Sequence, residues 1–515
     1  MMSNNVPKRS RTAALMFTAA LSASVALPAV AGTSLRYAED QGPGIVQPMF
    51  TTSMAEARLN ELLFEGLYTD DLELQTVGAL AQSATPSQDR RELTVQLRQD
   101  RVWHDGTPIT ADDVVFTVQA MKNPQTLSTE FGRVDWIRSV EAQGPTTVRF
   151  VFAKPELRAE DKLYFKVLPR HAFGSTTVKR SDAFRSNPVG SGPYRWSSFN
   201  EDGSITLERV ADHPSPGRLD QIVMREVSDK AYQAKLLLYE SLEALVRVLP
   251  RDLAVLQANR AVELYPYQTN SWWYVGFQSA HPALADRRVR EAIARAIDVP
   301  SLLAPIGTGE LLSGPFVRSS PYYNHEVAPW TKDSERTQEL MRDAGYAWSE
   351  GHWLKSGKPL SLSLVAHKGQ ESAQEVVINL QSQLAQEGFD LLVTFLDDAS
   401  WKGQVWRERD FDLVLSQWSF DRNEDIREQF ASSGSRNFYG YRSKTTDELL
   451  ERARTTLDPQ EKKDALRQVH RQIHDDLPVL VLWTLDSYCA MNTKVKNVFV
   501  HPFYFFTWVN QWRMD

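Results

Sequence analysis

The sequence predicts a large α/β protein that is divided into two or three lobes. A chain of 515 residues is too long for one hydrophobic core. Its C-terminal half alternates segments of helical periodicity with short apolar runs, which favours a partly parallel sheet covered by helices. The Gly- and Pro-rich block at 187–194 is a candidate crossing between lobes.

The individual elements follow from the spacing of apolar residues. Period-two alternation and short apolar runs predict strands at 34–37, 92–97, 194–196, 272–277, 391–396, 412–415 and 480–483. Helical spacing predicts helices at 53–64, 231–245, 286–297, 334–344, 372–386, 447–457 and 459–474. Thr110 and Asp113 have the spacing of an N-terminal cap for one more helix.

The first 31 residues have the layout of a secretory signal. Lys8, Arg9 and Arg11 precede an apolar run, and Ala29-Val30-Ala31 forms a small-residue cleavage site. The run contains Thr and Ser and ends at a proline, so it is a poor permanent membrane span, and an uncleaved anchor is the alternative. No cysteine lies near the cut, so no lipid anchor is expected and the mature chain should be periplasmic.

Composition narrows the class of function. The net charge of −7 becomes more negative when the three cations of the signal are removed, which argues against nucleic-acid binding. Cys489 is the only cysteine and is expected to be a buried, inert thiol. Fourteen Trp and sixteen Tyr residues are many, and such side chains line concave ligand sites or fill the core.

The common catalytic motifs are missing from the sequence. It has no Gly-x-Ser-x-Gly elbow and no phosphate-binding loop. His470 and His474 are four residues apart on a predicted helix and could present two imidazoles to a metal. Because that helix is rich in Lys and Arg, we expect solvated surface histidines instead. Binding is therefore favoured over catalysis, and no cofactor is expected.

Three long motifs carry a resemblance to a known family. They are Val102-Trp103-His104-Asp105-Gly106-Thr107-Pro108 with its continuation to Phe116, Asn187-Pro188-Val189-Gly190-Ser191-Gly192-Pro193-Tyr194, and the segment from Asp286 to Asp298. With these motifs in this order, the chain resembles the extracellular solute-binding proteins of peptide and nickel ABC importers. It departs from the family at 213–217 and 240–243, which leaves the ligand class open.

The resemblance implies a periplasmic-binding-protein-like fold. Two α/β lobes would be joined by two crossing strands and would close on the ligand by a hinge motion. The predicted division is a first lobe at 32–70, 186–268 and 483–515, an inserted subdomain at 71–185, and a second lobe at 269–482. Trp103 and the turn at Asp105-Gly106 are expected to be structural.

The resemblance also implies which residues meet the ligand. Asp421, which follows Trp418 in Gln417-Trp418-Ser419-Phe420-Asp421, matches the aspartate that pairs with a peptide's α-amino group; a surface turn with Arg422 is the alternative. Trp418 lines the pocket or packs in the core. Trp272 and Tyr274 share one side of a strand and Trp273 takes the other, so only one set can face the ligand. The remaining candidates are Asn270, Arg436, Asn437 and Tyr439.

The implied function is the capture of peptides or similar small solutes by a monomeric protein that delivers them to ABC importer permease subunits in the inner membrane. Three alternatives stay open: a non-peptide solute such as a metal chelate, sugar or amine; presentation of the solute to a sensory receptor; and a periplasmic hydrolase, for which the sequence offers no nucleophile and base.

Overall fold

Three larger sheets organise the part of the chain that the computed structural model describes, residues 33–370, 372–420 and 422–515. The predicted signal sequence at 1–31 lies outside these residues. The sheets have seven, six and four strands, and helices cover their apolar faces. The α/β class predicted from the sequence is therefore confirmed.

The seven-stranded sheet is mixed. Its strand Ser34–Glu39 pairs in parallel with the two strands on either side, and the remaining pairs are antiparallel. In spatial order the strands are Val262–Tyr267, Ser487–Asn492, Ala244–Leu245, Ser34–Glu39, Gln221–Glu226, Ile205–Arg209 and Tyr194–Phe199. Cys489 lies in this sheet as a buried free thiol, as expected.

The six-stranded sheet is also mixed. Ser361–His367 pairs in parallel with both Asp390–Leu396 and Leu413–Phe420, which confirms the predicted partly parallel sheet. In spatial order its strands are Glu310–Leu311, Val479–Thr484, Asn270–Phe277, Leu413–Phe420, Ser361–His367 and Asp390–Leu396. Helices Arg287–Arg295, Ser334–Asp343 and Ala373–Gln386 pack on one face, and Lys444–Thr455 and Pro459–Asp476 contribute to the core on the other.

The four-stranded sheet is antiparallel and shares one continuous hydrophobic core with the seven-stranded sheet. Its strands in spatial order are Ala81–Pro86, Glu92–Leu97, Thr147–Phe152 and Ile137–Ala142. Helix Ala111–Lys122 covers it and starts at the predicted capping box of Thr110 and Asp113. Trp103 is buried and Gly106 forms the expected turn with a positive φ.

Shorter elements complete the fold. The remaining helices are Met54–Leu63, Lys230–Leu238, Pro250–Gln257, Val299–Leu303, Asp398–Trp401 and Arg427–Phe430, with a π-helix at Lys402–Glu408. The remaining strands form three small sheets. Tyr68–Asp70 pairs with Thr76–Gly78, and Val495–Lys496 pairs with Arg513–Met514. The third is a three-stranded antiparallel sheet of Ala347–Ser349, His352–Lys355 and Lys358–Pro359.

Two lobes result from this arrangement. The first lobe holds the seven- and four-stranded sheets, and the second holds the six-stranded sheet. The chain passes between the two larger sheets after Val262–Tyr267 and again between Val479–Thr484 and Ser487–Asn492. The exact domain boundaries given above stay a prediction.

One predicted helix is too long. The sequence predicts a helix at 231–245, but the helix Lys230–Leu238 ends early, and Glu240 has a φ of 56°. The apolar residues that continued the helical pattern belong to the buried strand Ala244–Leu245. A short apolar run satisfies helical and strand patterns equally, and pairing with Ser34–Glu39 decides between them.

Gly190 has no room for a side chain. A Cβ at this position would lie 1.9 Å from the Leu63 carbonyl oxygen and 2.9 Å from Cε1 of His104. We expect Gly190→Ala to lower the free energy of unfolding by about 3 kcal/mol, because the backbone must move apart. The check is to compare the melting temperature of Gly190→Ala with that of the control variant Gly174→Ala. Nothing lies within 4 Å of a Cβ added at Gly174. Equal melting temperatures for the two variants would contradict the expectation.

Candidate functional site

Two neighbouring strands of the second lobe carry most of the residues predicted to bind ligand. Asn270–Phe277 and Leu413–Phe420 are antiparallel, and Trp272 lies directly opposite Trp418. Trp272, Tyr274 and Trp418 belong to the core on one face of the sheet, whereas Trp273 packs with Trp483 on the other. The predicted separation of Trp272 and Tyr274 from Trp273 is confirmed.

A cavity of about 320 Å³ opens beside these strands, and we name it the aromatic cavity. It lies where the parallel strands Ser361–His367 and Leu413–Phe420 end, which is the edge where α/β sheets commonly bind ligands. Its lining residues are Tyr274, His367, Gln370, Asp398, Trp401, Lys402, Trp406, Ser416, Gln417 and Trp418.

The apolar wall of the aromatic cavity is fixed by packing. The rings of Trp418 and Tyr274 are nearly parallel at 6.2 Å, and Trp418 Nε1 donates a hydrogen bond of 2.6 Å to the hydroxyl of Tyr439. Burial raises the pKa of both Tyr274 and Tyr439, so their phenols stay neutral. The wall is therefore rigid, and because Tyr274 is fully buried, only the exposed part of Trp418 can touch a ligand without rearrangement.

Asp398 supplies charge at the rim of the aromatic cavity. Its carboxylate pairs with Lys402 at 2.7 Å, which lowers the pKa of Asp398, and His367 Nε2 lies 3.7 Å away. Because the Gly369 amide donates to His367 Nδ1, the proton of the neutral imidazole is on Nε2 and faces Asp398. Because 66% of the Asp398 side chain is exposed, its ionised carboxylate can attract a ligand cation in addition to Lys402.

The opposite wall is built by an irregular helix. Asp398–Trp401 runs directly into the π-helix Lys402–Glu408, which ends at Arg409 with a φ of 57°. This wider winding places Trp401 and Trp406 edge to face at 5.7 Å, although they are five positions apart. π-Helical turns are frequent at functional sites, and this one brings two Trp side chains to one cavity.

Arg422 connects the lobes immediately after the strand Leu413–Phe420. Its Nη2 lies 3.1 Å from the Asp70 carboxylate and donates a 2.9 Å hydrogen bond to Thr76 Oγ1, and its guanidinium stacks over the ring of Tyr164 at 4.3 Å. Only 13% of the Arg422 side chain is exposed. Arg422 is therefore a largely buried interlobe residue.

A buried histidine completes this contact. Phe503 and Tyr504 donate backbone hydrogen bonds to Nδ1 of His501, so the ring carries its proton on Nε2, which lies 3.0 Å from Asp70 Oδ2. The Asp70 carboxylate is thus held by His501 on its own lobe and by Arg422 from the other. We call these three residues the interlobe triad.

A second cavity, of about 650 Å³, lies between the lobes beside the triad. One wall comes from the first lobe at 156–162, and the other from the second lobe at 422–427 and from helix Pro459–Asp476. We name it the interlobe cavity. Because both lobes line it, a ligand there would contact both.

The structure separates the predicted binding residues into groups. Tyr274 and Trp418 line the aromatic cavity, whereas Trp272 and Tyr439 pack behind it. The structure places Trp273 on the far face of the sheet, Asn270 half-buried at the start of its strand, Arg436 on the surface and Asn437 in a turn where its side chain bonds Ala431 and Tyr441. Asp421 lies outside the described residues, so its role stays a prediction.

Sequence reasoning missed the second half of the aromatic cavity. Trp401, Trp406, His367 and Lys402 were not predicted as ligand residues, and Asp398 was noted only as half of a carboxylate pair. A usable signal was present, since three Trp residues fall within 18 positions of this segment.

The expectation for the two helical histidines was wrong. His470 is fully buried, its Nε2 lies 3.0 Å from Ser313 Oγ, and its ring packs against Phe316 and Tyr323. His474 is mostly buried and stacks on Trp330. Both rings lie on the face of helix Pro459–Asp476 that meets the core, while the Lys and Arg side chains that suggested a surface face belong to the other side.

Within residues 33–370, 372–420 and 422–515, no three His, Cys, Asp or Glu side chains form a group that could hold a metal ion. In the same part of the chain, no helix combines the length and apolarity needed to cross a bilayer.

Comparison with known proteins agrees with this geometry. The family model of bacterial extracellular solute-binding proteins, family 5 Middle, matches residues 75–438. Oligopeptide-binding protein AppA of Bacillus subtilis is 22% identical over 488 residues, 89% of this chain and 88% of that protein. Glutathione-binding protein GsiB of Shigella dysenteriae is 25% identical over 458 residues, 85% and 86% of the two chains.

Solved structures share the fold. The structure of AppA in complex with a nonapeptide has a TM-score of 0.77 at 21% identity, covering 94% of this chain and 99% of AppA. NikZ of Campylobacter jejuni, in complex with Ni(L-His), has a TM-score of 0.78 at 22% identity, covering 93% and 99%. Both comparisons span the two lobes.

Two α/β lobes with cavities at and between their facing edges define a two-lobed solute-binding protein. The chain belongs to the family 5 bacterial extracellular solute-binding proteins. The two relatives named above are an oligopeptide-binding and a glutathione-binding protein.

Proposed function

We propose that this protein captures peptides or similar small solutes between its lobes and delivers them to the permease subunits of an ABC importer. The observation that carries the proposal is the aromatic cavity, which lies at the edge of the second lobe where the chain continues to the interlobe residue Arg422. Closure on a ligand would be favoured because only the closed form contacts it from both sides.

Peptide is the preferred ligand class for two reasons. The relatives AppA and GsiB are named for oligopeptide and glutathione binding. The cavity also offers an exposed ring at Trp406 and an ionised carboxylate at Asp398, which suit side chains and an ammonium group. We further infer a periplasmic monomer that is exported by the signal at 1–31.

The direct test is ligand binding by two matched variants. Trp406 lines the aromatic cavity with 44% of its surface exposed, and Trp348 is 49% exposed in a hairpin that does not line it. After denaturation and refolding to strip carried ligand, we expect peptide pools of two to nine residues to raise the melting temperature of the mature chain. Trp406→Ala should weaken binding about fivefold, and Trp348→Ala should leave it unchanged.

Two results would contradict the proposal. The first is that no peptide binds at millimolar concentration, and the second is that both Trp variants bind equally well. Mass spectrometry of the released ligand adds a further check, because a binding protein returns its peptide intact and a hydrolase does not.

Asp421 is expected to pair with the ligand's α-amino group. Loss of one partner of an enclosed charge pair costs at least about 2 kcal/mol, so Asp421→Asn should weaken binding of a free peptide about 30-fold. Acetylating the peptide's α-amine should weaken its binding to wild type by a similar factor and leave the variant unaffected. If acetylation weakens both proteins equally, another group binds the amine.

A non-peptide amine is the second candidate. Aromatic side chains around a carboxylate are suited to a cationic group, and Trp401, Trp406 and Asp398 provide them in this cavity. Calorimetry with small amines that lack a peptide bond would separate the two candidates. The amine hypothesis predicts that such amines bind, and the peptide hypothesis predicts that they do not.

A further inference from the structure

We propose that the interlobe cavity is a carboxylate-binding subsite, in which Arg422, Lys462 and Lys463 take up the acidic end of a ligand that occupies the aromatic cavity with its other end. The second half of this proposal rests on the proposed function, whereas anion binding by the interlobe cavity stands independently of it.

The acidic side chains that line the interlobe cavity already have partners. Glu156 pairs with Lys162 at 2.6 Å, and Asp161 pairs with Arg158 at 2.9 Å. The others are also engaged: Asp425 with Arg427, Glu424 as acceptor from Ser320 Oγ at 2.7 Å, and Asp458 as acceptor from the backbone amides of Gln460 and Glu461. Little carboxylate capacity is left for a ligand cation.

The donors in the same walls are not all used. Arg422 Nη1 is buried and has no hydrogen-bond acceptor among the described residues, although Nη2 contacts Asp70 and Thr76. Because Nη1 itself has no accessible surface, a carboxylate in the cavity would be attracted by the charge of the lining Arg422 guanidinium and not by a direct hydrogen bond to Nη1.

Two lysines add positive charge to the same cavity. Lys462 and Lys463 form no ion pair with any described residue, and Lys462 Nζ lies over the ring of Tyr322 at 5.7 Å. Both belong to the N-terminal part of the 18-residue helix Pro459–Asp476, where the helix dipole disfavours cations. An anion bound between these side chains would offset that repulsion.

The walls of the interlobe cavity therefore offer few free carboxylate acceptors but several cationic donor groups. Its chemistry fits a ligand with carboxylates, such as a peptide that ends in Glu or Asp residues. Because Lys462 and Arg422 belong to the second lobe while the facing wall at 156–162 belongs to the first, a carboxylate end would lie between the lobes.

The test compares peptides that differ only in charge. Hexapeptides ending in Glu-Glu or in Gln-Gln are titrated into wild type and the double variant Lys462→Ala/Lys463→Ala by calorimetry. We expect wild type to bind the Glu-Glu peptide about tenfold more tightly than the Gln-Gln peptide. The dissociation constants of the double variant for the two peptides should differ by less than about twofold. The variant should fold, because it removes cations from a helix N-terminus.

A matched control removes the same charge elsewhere. Lys444 and Lys358 are exposed and line neither cavity, so Lys444→Ala/Lys358→Ala should keep the tenfold preference. Equal affinities of wild type for the two peptides, or a preference retained by Lys462→Ala/Lys463→Ala, would overturn the subsite while leaving peptide binding intact.

A second measurement keeps the subsite testable if no peptide binds. N-acetyl-Glu-Glu at millimolar concentration should raise the melting temperature of wild type and not that of the Lys462→Ala/Lys463→Ala variant, and added salt should reduce the shift. An equal shift in both proteins, or none in wild type, would overturn the inference.

Discussion

Asp70→Asn is expected to lower the free energy of unfolding by about 3–5 kcal/mol, because it leaves the charge of Arg422 buried between the lobes without a carboxylate. The Asp70 side chain is 2% exposed and lies between His501 and Arg422. Water therefore cannot replace the carboxylate beside the Arg422 guanidinium when the charge is removed. The asparagine keeps the shape of the side chain, and its amide can still contact His501. The decrease in the free energy of unfolding therefore reports the removal of the Asp70 charge and not a change in packing. Urea unfolding followed by tryptophan fluorescence provides the measurement.

The control for this prediction is Glu73→Gln, a loss of the same charge at an exposed position of the same turn. It should change the stability by less than about 0.5 kcal/mol. The double variant Asp70→Asn/Arg422→Leu should recover part of the lost free energy of unfolding, because it no longer buries the unpaired charge of Arg422. A cost below 1 kcal/mol for Asp70→Asn would show that the triad contributes little to folding.

His470 should make the protein sensitive to mild acid. Burial, with a further contribution from His474 and Arg471, lowers the pKa of His470 from its ordinary value of 6.5 to about 3. The folded state therefore keeps the ring neutral, while the unfolded state binds a proton below pH 6.5. Stability is retained above pH 6.5 and is lost as the pH falls from 6.5 toward 3, at about 1.4 kcal/mol per pH unit.

We expect His470→Gln to remove about 2 kcal/mol of the stability difference between pH 7 and pH 5. Urea unfolding at the two pH values provides this difference for each protein. His104 has a pKa lowered by burial to about 4 and adds its own acid sensitivity, so the His470 variant should keep a residual slope. An unaltered difference in His470→Gln would contradict the expectation.

The strands of the second lobe could be predicted because their patterns are local. Alternation along Trp272, Trp273 and Tyr274 gives the correct faces, since a strand has only two. The helix predicted at 231–245 was wrong beyond Leu238, because its last apolar residues serve a strand whose partner is Ser34–Glu39, two hundred residues earlier.

The candidate site could be predicted only in part, and the reason is geometric. Trp418 and Tyr274 lie on regular strands, whereas Trp401 and Trp406 share a cavity because of a π-helix, whose winding the 3.6-residue period does not describe. His470 was assigned to the surface from the charge of its helix alone, although its partner Ser313 lies 157 residues away. The contact between Arg422 and Asp70 likewise joins segments that no local pattern relates.

The interlobe triad also constrains the order of events during folding. His501 and Asp70 are 431 residues apart, and the backbone amides that fix the His501 ring belong to Phe503 and Tyr504. Pairing across so long a loop is entropically costly and comes after local structure. On the export route proposed above the N-terminus would emerge first, so this contact could form only after Tyr504 has followed. The complete interlobe triad would therefore form later than the contact between Arg422 and Asp70 alone.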